Sequence, residues 1–337
     1  MGVRENNFEV LRLISTFMIV LLHVSAGSLF LAMAQEGGGG MDFTLSNGFD
    51  SMTRFAVPLF VMLSGAFQLS NDKNEQYGFY YKKIYHNIVV PTLIWSVVYV
   101  IFRITYALFL CSIGYQIYEN SIFTMPFIEW AKGSPYYHMW YLYMALGLFL
   151  LTPVIIRAGR GFTQKQVGWI GIGFMILGMV VTETSSLFWV VKGIQYIGYY
   201  ILGYWIYGNR EKLKTKKVVF AVGGILSWLC IFTFTQYLKH LYFYGFLSIF
   251  VVLGSLCIFA FFACWTYKKE GIQRISQYSF SIYLSHALIL ALLMDLFKFL
   301  NIEPCVGLYI PMMTLLVFFL ALCLSKGISM VNKKFAK

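Results

Sequence analysis

An arginine and a histidine stand eleven positions apart in one apolar run, NFEVLRLISTFMIVLLHV, residues 7–24. Both side chains are costly in hydrocarbon, and ionisable residues within such runs are functional candidates by default. In a helix, eleven steps of about 100° close about three turns, so Arg12 and His23 share a face roughly 16 Å apart along the axis. Arg12 is a permanent cation suited to phosphate groups; its plain alternative is to snorkel and pair with Glu9 at i, i+3. His23 carries an imidazole that takes up a proton near neutral pH, which suits a general base. Its plain alternative is a packed polar residue bonded to a neighbouring helix.

Four other stretches concentrate polar groups in apolar surroundings. VPLFVMLSGAFQL, residues 57–69, combines Pro58, which breaks the helical ladder, with Ser64 and Gly65. Ser64 is a candidate donor to a developing oxyanion, and both residues also suit close packing. FYYKKIYHNIVVP, residues 79–91, gathers Lys82, Lys83 and His86 at one edge of a span before Pro91 kinks it. These charges serve topology, and they also suit a phosphate-bearing ligand. HMWYLYMALGLFLLTP, residues 138–153, places Trp140 and its tyrosines where an interfacial aromatic belt belongs. SQYSFSIYLSHALIL, residues 276–290, sets Ser279, Ser281, Tyr283 and His286 on an apolar helix, with His286 open to a structural or a functional role.

The elements that must position these groups are transmembrane helices. Of 337 residues, 59% are hydrophobic, 19% aromatic and only 12% charged. Apolar runs of about 20 residues recur along the whole chain. The expected fold is an all-α polytopic membrane protein, with a single membrane domain over 1–337 and no soluble domain. Ten spans are expected, at 9–34, 51–70, 86–110, 138–156, 167–184, 188–208, 218–238, 245–266, 276–297 and 305–325. With both termini cytoplasmic, every basic residue falls on the inner side except Arg54, Arg103, Lys132, Lys192, Lys239 and Lys298. Topology thus accounts for the net charge of +12, which is no argument for a nucleic-acid partner. The first span, apolar from Leu13 to Ala34, is too long for the hydrophobic region of a signal peptide.

The six cysteines form no CxxC pair, and no spacing supports a metal site. Gly37 to Gly40 lie in an outer loop, 35–50, with no P-loop context. A second long outer loop is expected at 111–137. The glycines of the fifth and sixth spans, Gly168, Gly171, Gly173 and Gly178, then Gly193, Gly198 and Gly203, read first as helix-packing positions. Among the outer acids (Glu36, Asp42, Asp50, Glu119, Glu129, Glu183, Asp295 and Glu303), Asp50 is favoured to orient His23, because it opens span two near the outer end of span one.

Together the five stretches resemble acyltransferase family 3, integral-membrane enzymes that O-acylate cell-surface carbohydrates. The family's R-x10-H motif falls on Arg12 and His23, and its P-L-F-F-x-x-S-G region on Pro58 to Gly65. The basic K-R-x-x-R-I-x-P region falls on Lys82 to Pro91, with His86 where a second arginine is usual and Val90 before the proline. The W-F-L region becomes Trp140-Tyr141-Leu142, and S-x-x-I-Y-L-x-H falls on Ser279 to His286. The resemblance implies a catalytic His23, an acyl-CoA donor (acetyl-CoA first) used from the cytoplasmic side, and a glycan or lipid-linked sugar acceptor on the outer side of the cell membrane. No permanently bound cofactor is implied. Arg12, Lys82, Lys83 and His86 would hold the donor's phosphates.

Two mechanisms are open at this level. His23 either deprotonates the acceptor hydroxyl or carries the acyl group itself. The rival functions are export of a glycan precursor without acyl chemistry, a silent scaffold, and a branch using succinyl-CoA or a non-glycan acceptor. Nothing in the sequence fixes an oligomeric state.

Overall fold

The computed structural model describes residues 6–34, 40–114, 119–181, 192–267, 271–302 and 305–335. Glu36, Glu183 and Glu303, three of the acids weighed for His23, lie outside the described residues, as do Gly37 to Gly39 and residues 188–191 of the sixth span. The side chain of Glu119 is also outside them.

All regular elements among the described residues are helical. The main ones are α1 (Asn6–Ala34), α2 (Met41–Thr53), α3 (Ala56–Leu69), α4 (Tyr77–Ile84), α5 (Val90–Ser112), α6 (Glu119–Ala131), α7 (Trp140–Gly159), α8 (Gln164–Val180), α9 (Ile197–Gly208), α10 (Arg210–Leu213), α11 (Lys217–Leu238), α12 (Ile249–Cys264), α13 (Gln273–Ser276), α14 (Ser279–Phe299) and α15 (Val306–Phe335). Eight helical stretches among the described residues are long and apolar enough to cross a membrane. The protein is therefore an all-α polytopic membrane protein. The expected fifth and sixth spans fall on the 17-residue α8 and on a 3-10 turn, Gly193–Tyr196, leading into the 12-residue α9.

Three element boundaries differ from the sequence reading, each for a local reason. Helix begins already at Met41, so Asp50 lies inside α2 and does not open a span at residue 51. The chain turns at Arg54-Phe55, and Pro58 then sits in the first turn of α3, where a missing N–H costs no helical bond. The expected outer loop 111–137 contains the helix α6, which tolerates Pro126 in its interior. Between α4 and α5, residues Tyr85–Val89 form a π-turn, and the Val90 N–H reaches back five residues to the Tyr85 carbonyl. Proline clashes with the carbonyl four residues earlier, so a locally widened turn accommodates Pro91 without ending the helix.

The chain forms two compact units, Met1–Leu63 with Ile206–Lys337, and Ser64–Trp205. In the first unit α1 buries Phe8, Leu11, Ser15, Ile19 and Leu22, spaced three and four apart. Val20, Leu21 and Val24 of α1 join Ile282 and Leu290 of α14 and Ile310, Met313, Val317 and Ala321 of α15 in one apolar core. Buried polar bonds tie the same unit together. Asn7 Nδ2 donates to the Phe262 carbonyl at 2.8 Å, and Trp228 Nε1 donates to Ser51 Oγ at 3.1 Å.

In the second unit glycine sets helix separation. A Cβ on Gly65 would overlap the backbone of Tyr200, and one on Gly198 would meet the backbone of Met175. Gly193 faces the backbone of Met144, and Gly168 and Gly171 face the side chains of Trp205 and Leu202. The glycine-rich stretches thus serve close helix approach. Gly65→Ala is expected to cost about 1–3 kcal/mol, because backbone cannot yield as a flexible side chain can. Gly173→Ala, which meets nothing within 4 Å, is expected to leave stability unchanged. Thermal midpoints of both variants purified in detergent check this, and an unshifted Gly65→Ala would refute the close-approach account. All six cysteines are free thiols.

Candidate active site

The first unit holds both ends of the Arg12–His23 device on one unbroken helix. At one end, Arg12 Nη1 donates to both carboxylate oxygens of Glu9, at 2.7 and 2.9 Å. Glu9 is 3% exposed and also accepts from Ser276 Oγ at 2.5 Å. The i, i+3 pair foreseen from sequence forms, and a third group on α13 fixes it. The Arg12 side chain keeps 27% of its exposure, so a cation remains accessible there while its position is set by a buried acid.

At the other end, His23 is half-buried and meets His286, which is fully buried on α14. The ring centroids are 5.3 Å apart and the planes differ by 25°. His286 Nδ1 lies 2.7 Å from the carbonyl oxygen of Tyr283, one turn earlier. A carbonyl only accepts, so Nδ1 carries the hydrogen and the neutral ring keeps its lone pair on Nε2. The Tyr283 ring packs against His286 with centroids 5.7 Å apart. Ser279, at the start of the same helix, is also buried.

A second buried polar group adjoins the pair. Asp50 is fully buried and accepts from Ser25 Oγ at 3.0 Å and from Arg54 Nε at 2.8 Å, with Arg54 Nη2 bonded to the same carboxylate. The Arg54 guanidinium stacks 4.2 Å above the Tyr244 ring. Tyr244 donates to Asn47 Oδ1 at 2.5 Å, and Asn47 Nδ2 donates to the Phe232 carbonyl and to Gln236. The Ser25 bond ties this network to α1, two residues beyond His23. Among the described residues, His286 and Arg54 lie close enough to His23 to act on it electrostatically.

Ser64, Lys82, Lys83, His86 and Trp140 belong to the second unit. Ser64 is half-buried and hydrogen-bonds the Tyr141 side chain. Lys82 and His86 are exposed, and Lys83 is half-buried with Nζ 3.4 Å from Asn74 Oδ1. Trp140 begins α7 and packs against Tyr196 at 6.2 Å. Of the remaining acids, Glu129 pairs with Arg103 at 2.5 Å, and Asp42 is exposed in the first turn of α2.

The structure therefore brings His286 against His23 and Tyr283 against His286, and it holds the Asp50–Arg54 pair to α1 through Ser25. Arg54 and Ser25 did not stand out as site residues in the sequence. An arginine four residues after an aspartate, the spacing of an i, i+4 ion pair on a helix, was the available sign for Arg54. The meeting of His23 with His286 had none, because 263 residues separate them (286 − 23).

These features define a class, a polytopic helical membrane protein with an imidazole pair inside its helical core and an anchored cation about three turns away along α1. Residues 5–331 match the acyltransferase domain of acyltransferase family 3, and the chain belongs to that family. The protein is a membrane acyltransferase. No curated protein and no solved structure gave a match.

Proposed function

We propose that the protein transfers an acyl group, acetyl in the first instance, from cytoplasmic acyl-CoA to a hydroxyl of a cell-surface or lipid-linked glycan at the plasma membrane, with His23 as general base. The observation that supports this reading best is His23 itself, partly accessible on α1, backed by a buried imidazole and lying three turns from an anchored arginine. In the proposed step His23 takes the proton of the acceptor hydroxyl while its oxygen bonds to the thioester carbonyl carbon. The carbon–sulfur bond then breaks, and the imidazolium returns the proton to the departing thiolate. The products are an ester and free CoA, with no net proton change.

Arg12 would take a phosphate of the donor, and the roughly 16 Å along α1 suits the length of a pantetheine arm. Lys82, Lys83 and His86 are proposed as further donor contacts, and Ser64 as an oxyanion donor. Trp140 and Ser279 are proposed to line the acceptor side.

The test supplies radiolabelled acetyl-CoA to the full-length protein in vesicles, together with envelope glycans. Label should enter the glycan with one CoA released per ester. Glycan crossing the vesicle without CoA release would instead show an exporter and overturn the reading. In the same assay Arg12→Ala is expected to raise the KM for acetyl-CoA roughly 10–100-fold, the scale of one charge-assisted hydrogen bond, and to leave kcat within about threefold. A fall in kcat at unchanged KM would remove Arg12 from the donor site.

A further inference from the structure

The reaction proposed for His23 leaves one question open, namely what holds its ring. The usual partner is a carboxylate, and Asp50 is the acid of this unit that lies closest to the requirement. Its hydrogen bonds run to Ser25 and Arg54, which engage both of its oxygens. The ring found against His23 is that of His286, with centroids 5.3 Å apart in near-parallel planes.

We infer that His286 is the positioning residue for His23, accepting through its Nε2 and so setting which nitrogen of His23 faces the substrate. The inference rests on the proposed acyl transfer at His23. Three features of the geometry carry it. First, the Tyr283 carbonyl, 2.7 Å from Nδ1, fixes the tautomer of His286 and makes Nε2 the acceptor nitrogen of the neutral ring. Second, the ring separation is within reach of one N–H···N bond or one bridging water. Third, the burial is ordered. His286 is fully enclosed, and its helix neighbours Ile282 and Leu290 lie in the apolar core with Val20 and Val24 of α1. His23, in front of it, keeps part of its surface. A second ring that contacted substrate would be the accessible one, whereas an orienting ring belongs behind.

The groups around the pair fit this assignment. Arg54, held by Asp50, faces His23 from the α2–α3 turn, and Tyr283 flanks His286 on its own helix. From α15 the core receives Ile310, Met313 and Val317, which carry no charge, and the buried hydroxyl of Thr314 is bonded to the Ile310 carbonyl. The Nε2 lone pair of His286 would accept the N–H on the rear nitrogen of His23, and that bond would strengthen when the substrate-facing nitrogen takes up the proton in the transition state. This is the part a carboxylate plays in other imidazole bases, at lower strength and without adding a buried charge.

The test compares His286→Leu and His286→Gln with wild type and His23→Ala, each as full-length protein in vesicles with labelled acetyl-CoA and envelope glycans. Gln was chosen because its side-chain oxygen can stand where Nε2 accepts. His286→Leu is expected to lower kcat on the order of 10–100-fold at unchanged KM for acetyl-CoA, and His286→Gln to recover about tenfold of that loss. The double variant His23→Ala/His286→Leu should be no slower than His23→Ala, because a residue acting through His23 has nothing left to position. Wild-type kcat in His286→Leu would overturn the inference, as would a Gln variant no better than Leu at equal folded yield, or an additive loss in the double variant. Absence of transfer by wild type would instead remove the proposed function, which separates the two failures.

Discussion

His23→Ala is expected to lower kcat for acyl transfer by roughly 10²–10⁴-fold, the range that a positioned general base contributes. The KM for acyl-CoA should change little, because the anchored cation at Arg12 lies about three turns away and its bonds to Glu9 do not involve His23. Folding should also survive. His23 as a residue is only half-buried, and Val20 and Val24 still pack against α14 and α15. His23→Gln separates polarity from basicity. It keeps a hydrogen-bonding side chain facing His286 but cannot take a proton, so it should be as slow as the alanine variant. Transfer at the wild-type rate in either variant would sink the assignment. Rapid mixing without acceptor decides between base and acyl carrier. A general base releases no CoA until a hydroxyl is supplied, whereas a covalent acyl-histidine gives a burst of one CoA per protein.

The largest expected effect on stability belongs to Asp50. Its carboxylate is fully buried and bonded to Arg54 and Ser25, and Arg54 is itself only 13% exposed. Asp50→Ala leaves a guanidinium enclosed among helices without its counter-ion, which costs about 3–5 kcal/mol. The stacking of Arg54 on Tyr244 recovers little of this, since a cation–π contact contributes about 2 kcal/mol at most in such settings and is already present in the intact protein. Replacing both partners, as in Asp50→Leu with Arg54→Met, removes the charge with the counter-charge and should restore much of the loss. Denaturant titration in mixed micelles reads the cycle. Equal stability of Asp50→Ala and wild type, or additive losses in the double variant, would mean that the pair is not the energetic unit described here. The double variant also isolates function. If it folds yet transfers slowly, the Asp50–Arg54 pair has a role in transfer beyond stability.

Asp50 also marks where reading the chain in one dimension stops being sufficient. The sequence favours it to orient His23 as the opening residue of a span, a placement that follows from counting apolar residues, whereas the structure buries it inside α2 with Ser25 and Arg54 as its partners. The polar spacing through Ser46, Asn47, Asp50 and Ser51 hid a helix that starts at Met41, because these side chains face other helices and find their partners there. Pro91 shows the converse. The sequence reads it as a kink, and a π-turn precedes it, because the clash of a proline ring with an earlier carbonyl is a local matter that three or four residues decide.

Composition and spacing by themselves determined that this chain forms membrane helices, that Arg12 and His23 share one face, that Glu9 stands within reach of Arg12, and that the glycine-rich stretches suit close helix packing. Each follows from interactions within about one helical repeat or from the cost of polar groups in hydrocarbon, and both are written in consecutive residues. Only the tertiary structure decided which helix lies against His23. His286 meets it from the far end of the chain, and the Asp50–Arg54 pair meets it from a turn that apolar periodicity does not record. The partners of an imidazole are chosen by how helices pack in three dimensions, and packing is set by the shapes of many side chains at once.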